Sequence, residues 1–247
     1  MAPSVVAAVL GLIALGHAEL QNCGASQYDP AQYVCYDNQF LCPVASGEPL
    51  SYCAGACYSK FMYQCVNSVL SLLPAVEPST PFTLTASNPS LPIDGKSVTA
   101  CGQHWSVGGQ TCSYCPSAVG AACPAGNITA VIASDGRAAM DTMVPGGQVV
   151  YLDPYWNVGY SQAHSAYIPP GRTLTGLAAY KGGGFVNLNG NGYGWVACPP
   201  AASGGGGDSW NLVAKNASNA GTLGNCYGIN LKINELPQGT TGAWQYT

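Results

Sequence analysis

Downstream of residue 127 the chain alternates short apolar-patterned runs with Gly- and Pro-rich turns. Candidate strands lie at 128–134, 138–143, 148–153, 164–168, 174–180, 184–188, 194–198, 210–215 and 227–233. Turn chemistry separates them: Asp135-Gly136, Pro145-Gly146-Gly147, Pro169-Pro170-Gly171, Gly182-Gly183-Gly184, Asn189-Gly190-Asn191-Gly192 and the glycine run at 204–207. Side chains alternate between the faces of a strand, whereas a helix needs apolar residues three and four apart. No helical period of twelve residues occurs in this half. The chain is thus read as mainly β. Many short strands at this spacing predict an antiparallel β-sandwich or jelly roll over residues 127–247, long enough to build its own core.

The first part of the chain is patterned by cysteine rather than by hydrophobicity. Cys23-x4-Tyr28-x4-Tyr33-x-Cys35 returns thirty residues later, without a gap, as Cys53-x4-Tyr58-x4-Tyr63-x-Cys65. Between the copies stand Tyr36, Phe40, Leu41-Cys42-Pro43 and Tyr52, and Cys57 lies inside the second copy. Six cysteines and six tyrosines fall within 43 residues. A segment that small cannot form an ordinary apolar core, so cross-links must hold it. Cys23–Cys35 and Cys53–Cys65 occupy equivalent places in the repeat, although six cysteines allow many pairings.

Between these regions the pattern weakens. Residues 66–73 are apolar and short enough for a strand or a brief helix. Pro74, Pro78, Pro81, Pro89 and Pro92, with Ser and Thr between them, predict an extended, O-glycosylated spacer, so 66–100 reads as a linker. Cys101, Cys112, Cys115 and Cys123 predict a disulfide-tied cap over 101–126, or a degenerate second copy of the module. In that second reading Trp105-x4-Gln110-x-Cys112 stands where Tyr28-x4-Tyr33-x-Cys35 does. Cys198 and Cys226 are expected to pair across or along the sheets.

Composition narrows the setting. The apolar run at 5–15 is too short to cross a bilayer, and small residues follow at Gly16 and Ala18. Together they predict a secretory signal over 1–18 and a mature chain beginning at Glu19. All twelve cysteines lie beyond that signal, so the even count reads as disulfides rather than as zinc ligands at Cys112-x-x-Cys115. Asn127-Ile-Thr129 and Asn216-Ala-Ser218 are N-glycosylation sequons. Seven Lys+Arg against eleven Asp+Glu give a net charge of −4 and no basic patch. Nucleic acid and membranes are therefore not expected partners. A surface poor in charge and rich in Gly, Ser, Thr, Asn and Tyr suits a sugar, which offers hydroxyls to amides and C–H faces to aromatic rings. Nothing in the sequence specifies an oligomeric state.

The cysteine pattern also carries a resemblance. Cys23-Gly24, Tyr33-x-Cys35, Leu41-Cys42-Pro43, Cys53, Ala56-Cys57-Tyr58 and Tyr63-x-Cys65 resemble the family 52 carbohydrate-binding module. That module is a small cysteine-rich domain of fungal secreted proteins, including endo-β-1,3-glucanases. The resemblance covers residues 23–65 and implies binding to β-1,3-glucan of the cell wall. The sequence departs from the pattern at Cys53-Ala54, where Cys-Gly is expected and Gly55 comes one place late. The C-terminal region, with His164-Ser-Ala-Tyr167-Ile-Pro-Pro170 and Gly194-Trp195-Val-Ala-Cys198-Pro199, looks similar to β-rich domains of fungal cell-surface proteins.

Sugar contacts are expected from Tyr28, Tyr33, Tyr36, Tyr52, Tyr58 and Tyr63. Rings inside the repeat divide between miniature core and platform, and Tyr36 and Tyr52, outside it, are equally good candidates for exposure. A further contact is expected from Trp156 in the loop-like Tyr155-Trp156-Asn157. Glycoside hydrolysis needs two placed carboxylates. The acids beyond residue 127 (Asp135, Asp141, Asp153, Asp208 and Glu235) form no paired motif. No Gly-x-Ser-x-Gly elbow accompanies His104 or His164, and His17 leaves with the signal. No catalytic residue, metal or cofactor is implied. The sequence reads as a secreted, non-catalytic, fungal cell-wall protein that binds polysaccharide. Two alternatives stand beside it. One is a glucan-active hydrolase or remodelling enzyme targeted by the module. The other is a structural wall protein or host-facing secreted factor.

Overall fold

The computed structural model describes residues 19–189, 194–200, 208–216, 218–219 and 221–247. The expected signal at 1–18, the turn glycines at 190 and 192 and the glycine run at 204–207 lie outside the described residues. Strands dominate, as the alternating pattern predicts. Among the described residues the helical element is a 3-10 helix at Ser117–Ala122.

Nine strands form a barrel: β1 (Phe82–Ser87), β2 (His104–Val107), β3 (Val131–Ser134), β4 (Arg137–Met140), β5 (Gln148–Leu152), β6 (Val158–Tyr160), β7 (Trp195–Cys198), β8 (Trp210–Ala214) and β9 (Tyr227–Glu235). Around the ring the order is β2-β6-β5-β4-β3-β1-β9-β7-β8, returning to β2. Closure rests on a few residues. His104 of β2 pairs with Gly159 of β6, Ser106 and Val107 pair with Asn211 and Trp210 of β8, and a bridge joins Asn157 to Val213. The sandwich expected from strand count is thus replaced by a closed ring.

Two boundaries move. The longest ladder joins β1 to β9, from Phe82↔Glu235 to Ser87↔Asn230. Burial alternates along β1, with Phe82, Leu84 and Ala86 inward to meet Ile229, Leu231 and Ile233 of β9. Residues 82–100, expected as linker, therefore belong to the barrel. Pro81 sits just ahead of β1, where a missing N–H costs the ladder nothing. Residues 101–126 are neither a separate cap nor a second module. The strand Val98–Cys101 pairs along β2, and Trp105 of β2 is fully buried in the barrel core. Cys101–Cys112 and Cys115–Cys123 tie this segment locally, and Cys198–Cys226 joins the end of β7 to the residue before β9.

Two strand expectations also change. Residues 164–168 form no strand, and His164 turns at φ +60. β6 was hidden by Gly159 at its centre, which permits close approach: a Cβ there would lie 2.7 Å from the Tyr151 ring.

The largest side chains of the barrel core are aromatic. A hairpin of Leu177–Ala179 and Phe185–Asn187 sends Phe185 inward, stacked on Trp195 with centroids 5.6 Å apart. Trp105 and Phe82 lie 6.1 and 6.0 Å from the same ring. Near the C-terminus the buried polar groups of Gln148, Tyr160 and Tyr246 are paired, as burial demands. The Gln148 amide donates to the carbonyls of Ser161 and Tyr246 and accepts the Tyr246 N–H. The Tyr246 hydroxyl donates to Ile128 and accepts from Ala130, while that of Tyr160 donates to the Thr247 carbonyl. Burial pushes the Tyr160 phenol up to about 12 and raises that of Tyr246 too.

Candidate carbohydrate-binding site

The thirty-residue echo is a structural repeat. Each copy folds as two hairpins. The first copy pairs Gln21–Cys23 with Ser26–Tyr28, then Tyr33–Tyr36 with Phe40–Ala45. The second pairs Ser51–Cys53 with Ala56–Tyr58, then Tyr63–Val66 with Val69–Leu72. Cys23–Cys35 and Cys53–Cys65 join the two hairpins of each copy, as the repeat suggested, and Cys42–Cys57 crosses between copies. The second hairpins differ in their turns. Asn67 and Ser68, at φ +50 and +63, make a two-residue turn whose twist suits a hairpin. The first copy uses Asp37, Asn38 and Gln39 instead. There the Asn38 amide oxygen accepts the Gly24 N–H at 2.9 Å, and a Cβ on Gly24 would lie 2.8 Å from the Asn38 carbonyl. Ala54, the departure from the family pattern, adopts φ +44 in the copy with the shorter turn.

Three rings meet where the copies adjoin. Tyr36 and Tyr52 stack with centroids 5.8 Å apart and planes at 23°. Phe40 lies 4.7 Å from Tyr52. Tyr36 faces Phe40 directly across its hairpin. Its hydroxyl donates to the Leu50 carbonyl at 3.0 Å, which ties the ring to the segment leading to Tyr52. All three rings are half-buried, so each is fixed by packing yet keeps part of its surface in solvent. Of the other predicted tyrosines, Tyr33 is exposed, while Tyr28, Tyr58 and Tyr63 are half-buried. The Tyr28 hydroxyl donates to the Gln21 side chain at 2.9 Å. Phe40 was not among the predicted contacts. Its signal was its place opposite Tyr36, across a turn of Asp, Asn and Gln.

The module is seated on the barrel rather than tethered. Glu48, 7% exposed, accepts from Ser87 of β1 and pairs with Lys60 at 2.5 Å. The Gly184 N–H donates to the Phe61 carbonyl at 2.9 Å, and a Cβ on Gly183 would lie 2.6 Å from that oxygen. The connecting chain follows the barrel: Lys181 donates to Pro74 at 2.8 Å, and Val76 to Ala179 at 2.9 Å. A cleft of about 200 Å³ lies between the two parts, with Leu50 and Phe61 on one wall and Trp195 and Asn230 on the other.

Trp156 is not the ring its loop presents. It adopts φ +68, is half-buried and packs against the barrel core. Its neighbour Tyr155 is 80% exposed. Asp153 shapes this loop by accepting the N–H groups of Tyr155 at 2.8 Å and Asn157 at 2.9 Å, and the Asn157 amide at 2.9 Å. Asp153 is thus a loop staple. Asp135 occupies a turn at φ +51 and accepts from Ser134. Burial lifts the Asp141 carboxyl above its ordinary value, opposed by the Gly242 N–H donating at 3.1 Å. Among the described residues no hydrogen bond joins two of these acids.

Comparison with known proteins follows the same division. Residues 22–70 match a family model described as carbohydrate binding. Residues 82–247 match that of PhiA-like secreted proteins. The chain belongs to the PhiA-like secreted protein family. This PhiA-like chain is 34% identical over 194 residues to an "Uncharacterized secreted protein" of Arthroderma benhamiae, across 72% of the chain and 95% of that relative. It is 42% identical over 52 residues to the primary septum glucan endo-1,3-β-D-glucosidase of Schizosaccharomyces pombe. That stretch is 21% of the PhiA-like chain and 5% of the enzyme. No solved structure matches. The PhiA-like protein is thus secreted, extracellular or wall-associated, and carries a carbohydrate-binding module.

Proposed function

We propose that the protein binds β-1,3-glucan of the cell wall through its N-terminal module and performs no catalysis itself. The observation that carries this reading is the Tyr36–Tyr52 stack with Phe40, built where the two repeats meet inside the carbohydrate-binding segment. A pyranose lays its C–H face on such rings, while the phenol edges supply hydrogen bonds. The resemblance to the family 52 module supports the glucan assignment. So does the likeness to a stretch of a septum endo-1,3-β-glucosidase, whose extent matches the size of the module. Tyr33, exposed in the same module, extends the contact, with Tyr28, Tyr58 and Tyr63 giving mainly support. On the barrel the second contact falls to exposed Tyr155, whose neighbour Trp156 packs against the core. The engagement of Asp153 and Asp135 in loop and turn geometry supports a binding role over a hydrolytic one.

The test is sedimentation of the full-length secreted protein with insoluble β-1,3-glucan, with cellulose and chitin alongside. Selective pelleting with the glucan is expected, and equal retention in all three supernatants would defeat the reading. Soluble oligosaccharide appearing in the same tubes would assign hydrolysis to the protein instead.

A further inference from the structure

The fold treats the two sequons in opposite ways. Asn127 is exposed, between the 3-10 helix and β3. Asn216 is 3% exposed, at the end of β8. Its side-chain oxygen accepts the Ser218 N–H at 2.8 Å, the Ser218 hydroxyl at 2.7 Å and the Asn219 N–H at 3.1 Å. Asn219 reciprocates, accepting the Asn216 N–H at 2.8 Å and donating to the Ala214 carbonyl at 2.9 Å. Asn216 and Ser218 are therefore the fastening of a loop. Sequon glycosylation acts on the emerging chain, before burial can hide either asparagine. The folded state then sorts the products, because an oligosaccharide on a side chain this buried has no path to solvent.

At the other sequon the surroundings favour a glycan. Thr129 is turned inward, accepting the Ala100 N–H at 2.8 Å and sharing a 2.8 Å hydrogen bond with the Thr111 hydroxyl. This leaves Asn127 outward, at the rim of a groove of about 430 Å³. Thr83, Ser97, Thr99, Gln110 and Thr111 line it, together with the sequon itself, and none of its lining residues is charged. A volume within the usual range for small-molecule pockets, neutral hydroxyls and an amide beside half-buried Ile128 suit an N-acetylhexosamine, with its hydroxyls and its acetamide methyl. We infer that Asn127 carries an N-glycan whose innermost sugars lie in this groove, and that Asn216 is unmodified in the folded, secreted protein.

Two measurements on the secreted full-length chain decide this. The first is enzymatic deglycosylation of the denatured protein in heavy-oxygen water, followed by peptide mass spectrometry. It should label Asn127 and leave Asn216 unlabelled. Asn127→Gln, which retains Thr129 and its hydrogen bonds, should remove all N-linked mass. The second is the rate of endoglycosidase release. It should be roughly tenfold slower from native than from denatured protein, and Gln110→Ala should narrow that gap. A label at Asn216 in folded protein, an unlabelled Asn127, or equal release rates would overturn the inference.

Discussion

In the module the deeply buried side chains are chiefly cystines, while in the barrel the largest of them are rings. Cys23, Cys42 and Cys53 are at most 3% exposed, and the module's other buried apolar residue, Phe61, faces the barrel. Phe82, Trp105 and Phe185 are fully buried, with Trp195 beside them. The difference bears on function. Where cross-links restrain the chain, aromatic rings are released from core duty and stay half-exposed, as Tyr36, Phe40 and Tyr52 do. Where burial supplies stability, Trp105 and Trp195 are committed inside, and rings reach solvent from a loop, as Tyr155 does, or from a strand end, as Tyr227 does.

Experiments can break this contrast, the most disruptive first. Phe185→Ala should destabilise the barrel by about 3–5 kcal/mol, because the stacked rings around it cannot close the void. Denaturant unfolding followed by tryptophan fluorescence reads this, and an unchanged midpoint would refute the aromatic-core account. Replacing both Cys42 and Cys57 by Ser should cost the module roughly 3 kcal/mol by releasing the link between its copies. Glucan sedimentation should fall while the near-ultraviolet dichroism of the barrel persists; loss of both signals together would mean that the two regions are not separately stabilised.

Alkaline pH acts on the barrel through its buried phenols. The Tyr160 phenol is pushed from 10.0 to about 12 by burial, so the folded state holds that proton more tightly than the unfolded chain. Its contribution is complete below pH 10 and is lost as pH rises toward about 12, a loss on the order of 2 kcal/mol. Thermal melts across that window should fall, and Tyr160→Phe should flatten the decline. Tyr52→Ala should weaken glucan binding by about 0.5–1.5 kcal/mol, up to roughly tenfold in Kd, without moving the barrel transition. Glu48→Gln is the gentlest. Lys60 is largely exposed, so less than about 1 kcal/mol is at stake. Faster hydrogen exchange at 45–50, with binding intact, is the expected trace.

Much of this architecture was written in local pattern. The repeat and most strands beyond residue 127 follow from cysteine spacing, alternation and turn residues, while the choice among cystine pairings does not. What escaped depended on distant partners. β1 carries a clear alternation of Phe82, Leu84 and Ala86, but prolines on both sides gave its neighbourhood the composition of a spacer. Ring closure hangs on short pairings between β2, β6 and β8, which no local signal announces. Among the candidate contacts, adjacent Tyr155 and Trp156 look alike in sequence. A left-handed backbone at Trp156, set by the Asp153 staple, determines which ring is exposed. Phe40 escaped because only hairpin register places it beside Tyr36 and Tyr52.

Ring closure also bears on self-association. A protein gathered on an insoluble polymer meets its own copies at high local density, where unpaired strand edges template cross-β aggregation. The barrel ladder returns on itself. In the strand appended outside β2, Ala100 has its N–H taken by the Thr129 hydroxyl and its carbonyl by Cys112. Crowded neighbours thus find no free backbone on Ala100 to extend.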